Sequence, residues 1–208
     1  MKRCVIVGGA DINNYYRVAE FLDDDDFFVY CDSGLRHLES LGYEPDLIVG
    51  DWDSHEKPDI DAEIITLPHI KDDTDTFYAV KECVKRGFEE FILIGMIGGR
   101  FDHSLGNSSM LLYLDGLCKK AMIIDDWSVM TVVSRETAFV EDKYPYFSLL
   151  SVDGEASGIS IRNALYELSY ARIGADYQLG ISNEVIPGKT AEISIASGRM
   201  LLIKIFTE

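Results

Sequence analysis

Aspartates recur just after short apolar runs, in a spacing suited to a hard metal ion and to phosphate. Phe27 to Cys31 is followed by Asp32-Ser33-Gly34, and Leu47 to Val49 by Gly50-Asp51-Trp52-Asp53-Ser54. Glu63 to Leu67 leads through Pro68 to Lys71-Asp72-Asp73-Thr74-Asp75, Phe91 to Ile94 to Gly98-Gly99-Arg100-Phe101-Asp102-His103, and Ala121 to Ile124 to Asp125-Asp126. If each run is a strand of one parallel sheet, successive strand ends direct carboxylates at the edge where such sheets bind ligands.

Asp51 and Asp53 leave their strand at an i, i+2 spacing, which in extended chain puts their β-carbons about 6–7 Å apart on one side. Two carboxylates at that distance repel by roughly 2–3 kcal/mol at an effective dielectric near 20. Asp32, Asp75 and Asp102 add to this, so the cluster calls for protons or a cation. Oxygen donors without a cysteine or histidine pair favour a hard ion, and Mg2+ bridging to substrate phosphates is its common use. The competing reading of Asp51 and Asp53 is a turn or helix cap.

In Lys71 to Asp75, Asp73 or Thr74 before a helical run is a good N-cap, while Asp75 inside the first turn can still face a metal. Gly98-Gly99-Arg100 joins backbone able to approach phosphate closely to a cation whose planar fork matches phosphate oxygens. Asp102 could cap the next helix, bind metal or hold Arg100; His103 could meet a phosphate or satisfy a core partner. Gly8-Gly9-Ala10-Asp11 also follows a strand but matches neither a dinucleotide nor a Walker fingerprint. No nucleophile elbow and no cysteine with a paired histidine is present, leaving metal-assisted phosphoryl chemistry.

The elements that must position these residues follow from hydrophobic periodicity. Cys4 to Val7, Phe27 to Cys31, Leu47 to Val49, Glu63 to Leu67, Phe91 to Ile94 and Ala121 to Ile124 read as strands. Tyr15 to Leu22, Leu35 to Leu41, Thr74 to Arg86 and His103 to Leu114 read as helices, with Gly42 and Gly87 as C-caps. Strands alternating with helices imply an α/β, Rossmann-like parallel-sheet domain over residues 1–126. From residue 127 to 208 the texture changes to short alternating segments such as Tyr146 to Val152, Thr190 to Ala196 and Met200 to Phe206, which implies a smaller all-β domain of sandwich or barrel type.

The 208 residues are 47% hydrophobic, enough for a proper core. A net charge of -17 argues against nucleic acid as a partner, because backbone binding needs clustered Lys and Arg. An acidic protein that binds an anionic ligand needs a cation between the two. For Asp23 to Asp26, solubility is reason enough. No stretch approaches the roughly 20 apolar residues of a membrane span, and Met1-Lys2-Arg3 runs into a strand rather than a signal peptide; a cytoplasmic location is expected. Cys4, Cys31, Cys83 and Cys118 lie scattered in or beside apolar segments and read as buried, reduced thiols.

In these motifs the chain resembles the thiamine pyrophosphokinase family, from near its N-terminus to its last strand. The family's Gly-Asp-Phe-Asp-Ser is here Gly50-Asp51-Trp52-Asp53-Ser54, its Lys-Asp-x-Thr-Asp is Lys71 to Asp75, and its Gly-Gly-Arg-x-Asp-His is Gly98 to His103. The early Ala-Asp-Gly-Gly is reduced to Cys31-Asp32-Ser33-Gly34, and Ser-Asn-Glu is Ser182-Asn183-Glu184. The resemblance implies a C-terminal β-sandwich, a homodimer, and transfer of the pyrophosphoryl group from ATP to the hydroxyethyl group of thiamine, giving thiamine diphosphate and AMP. It implies Asp51, Asp53, Asp75 and Arg100 as catalytic, with the three aspartates as Mg2+ ligands. Asp32, Gly34, Lys71, Thr74, Gly98, Gly99, Asp102 and His103 would line the nucleotide, and Ser182 and Asn183 would touch thiamine or nucleotide near the dimer interface. Animal and fungal members set a tryptophan against thiamine; aligned on Gly158-Ile159, that place falls on Ile161. Ser182-Asn183 read alone is a hairpin turn. The rivals are a same-fold enzyme acting on another alcohol such as a pterin, a non-catalytic nucleotide or thiamine diphosphate sensor, and a metal-dependent phosphohydrolase.

Overall fold

Short runs of β-branched and aromatic residues, buried on both faces in the central strands, build the first sheet. In the computed structural model, which describes residues 2–52 and 59–206, they form β1 (Arg3–Val7), β2 (Phe27–Cys31), β3 (Leu47–Gly50), β4 (Glu63–Thr66), β5 (Glu90–Ile94) and β6 (Lys120–Ile124). All pair in parallel, in the order β6-β5-β1-β2-β3-β4. From β1 the chain builds outward to β4 and then returns to β5 on the other side of β1. That reversal opens a crevice between the loops after β1 and β5, the place where such sheets accept ligands.

Two helices dominate the connections. α3 is the 11-residue Asp75–Lys85, started by Thr74, whose Oγ1 accepts from Phe77 N at 3.2 Å; the 16-residue Phe101–Gly116 helix, α4, begins directly after Arg100. The other two are short. α1 (Tyr15–Ala19) stops before Leu22, because Phe21 N and Leu22 N donate to the i−3 carbonyls of Val18 and Ala19 and tighten the chain into a turn. The stretch expected as one helix from Leu35 to Leu41 is a 3-10 segment, Asp32–His37, that runs into α2 (Leu38–Leu41) and ends on Gly42 at φ 74°.

The chain divides into two compact units, Met1–Asp126 and Trp127–Glu208. The second contains β7 (Ser128–Val133), β8 (Ala138–Glu141), β9 (Tyr146–Leu150), β10 (Ala156–Arg162), β11 (Leu168–Ile173), β12 (Gly180–Glu184), β13 (Thr190–Ser194) and β14 (Met200–Ile205). They pair antiparallel in two groups, β12-β9-β14-β7 and β11-β10-β13-β8. Phe147, Leu149, Ile159, Ile161, Ala191 and Ile193 are buried on alternate positions, while their neighbours along each strand are more exposed. The protein is thus mixed α/β, with a large sheet and a second one. Among the described residues, no helix is long and apolar enough to cross a membrane.

Cys4, Cys31 and Cys83 are buried as expected, but Cys118 is exposed. It follows α4 in the left-handed conformation, φ 57°, which turns the chain outward before β6.

Candidate active site

The crevice after β1 and β5 is held together by backbone. Gly8 N donates to Ile94 O at 2.8 Å and Ala10 N to Gly95 O at 2.9 Å. Gly34 packs so closely that a Cβ there would collide with the Val7 carbonyl oxygen. Its absent side chain therefore brings the turn after β2 against the end of β1, and Gly34 itself does not line the opening. Above these loops lies a cleft of about 400 Å3, lined by Asp32, Thr74, Asp75, Gly98, Gly99, Arg100 and His103 among others.

Asp32, Asp51 and Asp75 converge on this side of the sheet. Asp32 follows β2 at φ 41°, a strained conformation for a residue with a side chain, and its Oδ1 is buried with no hydrogen-bond partner among the described residues. Lys71 Nζ donates to Asp51 Oδ2 and lies 3.0 Å from Asp75 Oδ1. Among the described residues, the ion pair with Lys71 is the contact that reaches the buried Asp75 Oδ1. Burial raises the pKa of Asp75, and Asp51 and Asp32 push it the same way against the attraction of Lys71. Burial works against the charge on Lys71, but its contacts with Asp51 and Asp75 outweigh that and raise its pKa.

Asp53 lies outside the described residues. The extended geometry assumed for the Asp51–Asp53 pair ends at Trp52, which takes φ 57° and donates from Nε1 to Thr66 Oγ1 at 3.2 Å. Its indole lies over Gly50, where a Cβ would come 3.1 Å from the ring. The aromatic and the glycine of this motif thus fix the turn that carries Asp51.

Gly98 and Gly99 adopt φ 135° and 62°, and Ser104 Oγ accepts from Gly98 N at 3.0 Å, which holds this loop on the first turn of α4. Arg100 pairs with Asp102, whose carboxyl is pulled down to about 2 chiefly by the Arg100 hydrogen bonds. Both side chains are exposed, as is His103. Asp73 is taken up by Lys81. Asp126 is also structural: its carboxylate accepts from the backbone N–H groups of Asn13 and Asn14 at 2.9–3.0 Å. A second, wider cleft of about 1260 Å3 lies at the amino ends of the strands, where Arg3 is committed to Asp23 and Asp26; none of the motif residues lines it.

His37 joins two cleft loops and was not singled out by any motif. Its Nε2 lies 2.9 Å from Ala10 O and its Nδ1 2.8 Å from the Tyr15 hydroxyl. A carbonyl only accepts, so Nε2 carries the proton and Nδ1 accepts from Tyr15. Desolvation lowers the His37 pKa, with the Arg36 charge adding to it against the Ala10 hydrogen bond. The folded state then binds fewer protons than the unfolded one, so this contribution to stability is complete above about pH 6.5 and declines as pH falls from there towards the folded pKa. Urea midpoints at pH 7.5 and 5.5 should therefore drop more for the parent than for His37→Gln; parallel drops would refute the assignment.

In the second unit, β12 carries one extra residue opposite β9 between Gly180 and Asn183, a bulge with Ser182 at φ 55°. Ser182 is thereby turned to solvent beside Ile181, which is also exposed. Asn183 is only 3% exposed. Its Oδ1 accepts from Tyr166 N at 3.0 Å and its Nδ2 donates to Tyr166 O at 2.8 Å, so the amide clasps the neighbouring loop. The clasp presents Tyr166, 63% exposed, next to the bulge, whereas Ile161 is a core residue at 1%. A lone tyrosine between two short strands carries no periodic signal, and only the Asn183 clasp ties it to the motif.

Two family models match successive stretches of the chain. The family model for "Thiamin pyrophosphokinase, catalytic domain" matches residues 18–123, and that for "Thiamin pyrophosphokinase, vitamin B1 binding domain" matches residues 133–200. The thiamine pyrophosphokinase of Bacillus subtilis (strain 168) is 25% identical over 213 residues, spanning 98% of this chain and 99% of that protein. A crystal structure of thiamine pyrophosphokinase from Bacillus subtilis superposes with a TM-score of 0.86 at 20% identity, covering 100% of both chains. The thiamin pyrophosphokinase structure from Geobacillus thermodenitrificans gives a TM-score of 0.83 at 26% identity, covering 99% of this chain and 98% of that one.

Proposed function

We propose that this chain, which belongs to the thiamin pyrophosphokinase family, transfers the pyrophosphoryl group of ATP to the hydroxyethyl group of thiamine, giving thiamine diphosphate and AMP. The observation that carries the reading is the meeting of Asp32, Asp51, Asp75 and Lys71 beside a glycine loop and Arg100 at the carboxyl ends of a parallel sheet. In this reading the first unit is a Rossmann-like ATP domain and the second a β-sandwich for thiamine and dimerisation, in a cytoplasmic enzyme.

The donor set suits Mg2+. It is all oxygen, and it includes the buried, unpartnered Asp32 Oδ1. Among the described residues no three acidic, histidine or cysteine groups stand together as a ready metal site, and Lys71 contacts both Asp51 and Asp75. Asp51, Asp53 and Asp75, with Asp32 beside them, would hold the ion, which when bound would supply charge neutralisation on the triphosphate. Gly98 and Gly99 let the backbone approach the phosphates, and Arg100, exposed and paired with Asp102, can exchange that partner for phosphate oxygens. The thiamine hydroxyl oxygen bonds to the β-phosphorus as the bond to the α–β bridging oxygen breaks, AMP leaves, and the hydroxyl proton passes to an aspartate of the cluster or to solvent late in the step. Arg100 stabilises charge on the transferring group. Tyr166, with Ser182, would offer the cationic thiazolium an aromatic face and a hydroxyl.

Incubation with ATP, Mg2+ and thiamine should yield AMP and thiamine diphosphate by mass analysis, without accumulation of thiamine monophosphate. ADP with the monophosphate would overturn the reading. The exposed Tyr166, Tyr177, Leu179 and Ile181 around the β12 bulge also favour a homodimer, and light scattering at micromolar concentration should report one; an active monomer would refute it.

A further inference from the structure

We propose that Lys71 is a resident counter-ion that keeps the acidic cluster closed in the nucleotide-free protein and opens it when a triphosphate arrives, so that divalent cation and nucleotide bind together rather than singly. This rests on the ATP reading above and adds to it a rule of entry. Among the described residues, Arg36 and Arg100 line the cleft and Lys71 contacts its wall at Asp75, and each is held by carboxylates: Arg36 by Asp11, Arg100 by Asp102, and Lys71 by Asp51 and Asp75. The first two pairs are exposed, with Arg36 at 47% and Arg100 at 72%, so water competes for them and they part easily. Lys71 differs. Its side chain is 16% exposed and those of Asp51 and Asp75 are 11% and 18%, so drawing Lys71 away from them leaves a poorly hydrated ammonium unless it gains a new anionic partner.

A divalent cation alone gives new partners to the two aspartates only. It leaves the Lys71 ammonium displaced yet still close, positive charge beside positive charge. A triphosphate supplies the missing anion. Lysine suits the exchange because its ammonium is a compact charge on a flexible stem, able to swing from carboxylate to phosphate, and its backbone precedes Thr74, which anchors α3. Metal and nucleotide are then positively linked, and by reciprocity each raises the affinity for the other.

The test uses Mn2+ alone as a spectroscopic probe and, separately, the α,β-methylene analogue of ATP, whose bridge cannot be cleaved, titrated by calorimetry at saturating Mn2+. Without nucleotide, Lys71→Met should bind Mn2+ about tenfold more tightly than the parent, whereas at saturating Mn2+ it should bind the analogue about tenfold more weakly. Lys71→Arg keeps the charge and should retain the weak Mn2+ binding of the parent, and Lys71→Gln serves for the comparison if the methionine variant does not fold. If the neutral variants bind Mn2+ no more tightly than a parent that still takes up the analogue, Lys71 is not the counter-ion and the ATP reading survives. The counter-ion role is likewise refuted if Lys71→Arg behaves as the neutral variants do. A parent that binds no analogue at any Mn2+ concentration sinks the ATP reading itself, and this proposal with it.

Discussion

Asp51→Asn should lower turnover at saturating ATP and thiamine by on the order of 10²-fold or more, with little change in stability. Asparagine keeps the size of the side chain and an oxygen that can accept from Lys71, but it removes a negative ligand that an amide replaces poorly. Two effects on stability oppose each other. The variant loses the charge of a partly buried ion pair with Lys71, and it also loses the repulsion that Asp51 exerts on Asp75. Since Lys71 keeps Asp75 at 3.0 Å, the net change in unfolding free energy should lie within about 1 kcal/mol. Mg2+ with nucleotide should then raise the melting temperature of the parent more than that of the variant. A purely structural Asp51 predicts the reverse: a clear loss of stability without metal and nearly normal turnover. Melts and turnover on the same two proteins decide between these outcomes.

The candidate site was legible wherever a strand end carries its chemistry in consecutive residues. Apolar runs gave each parallel strand to within a residue or so, and the residues after them gave Asp32, Asp51, Asp75 and the Gly98 to Arg100 loop, because in a parallel sheet the ligand edge is set by chain direction alone. Thr74 was legible as a cap from its place before α3. Partnerships across the fold were not. The pairing of Lys71 with Asp51 joins the segments after β3 and β4, and the His37 link joins the end of a 3-10 segment to the loop after β1; neither leaves a local pattern. Asp126 shows the opposite failure. It ends a strand like the others, yet its carboxylate is consumed by backbone donors of residues 13 and 14, which a count of acidic strand ends does not reveal. In the second unit the strands alternate clearly, but bulges such as that at Ser182 shift the register, so Tyr166 emerged only from its contacts.

Gly95→Ala should destabilise the first unit by about 2–5 kcal/mol and weaken nucleotide binding, although position 95 bears no chemical group. Gly95 sits at φ 63°, where an alanine costs roughly 1–2 kcal/mol. Its Cβ would also collide with the Gly8 carbonyl oxygen, and overpacking of this kind adds about 1–3 kcal/mol. The loops part only at the loss of hydrogen bonds, because Gly8 N donates to Ile94 O at 2.8 Å and Ala10 N to Gly95 O at 2.9 Å. Relief must come by splaying the loop after β1 from the loop after β5, which widens the cleft the triphosphate is proposed to enter. At about 2–4 °C per kcal/mol for a chain of this size, the melting temperature should fall by roughly 4–20 °C. Gly42→Ala supplies the control: φ there is 74°, nothing lies within 4 Å of the added Cβ, and the position lies at the end of α2, outside the cleft. The control should lose only the backbone part, about 1–2 kcal/mol, and bind the α,β-methylene analogue normally. If the two variants melt together and bind alike, the close approach of Gly8 and Gly95 does not hold the cleft in shape.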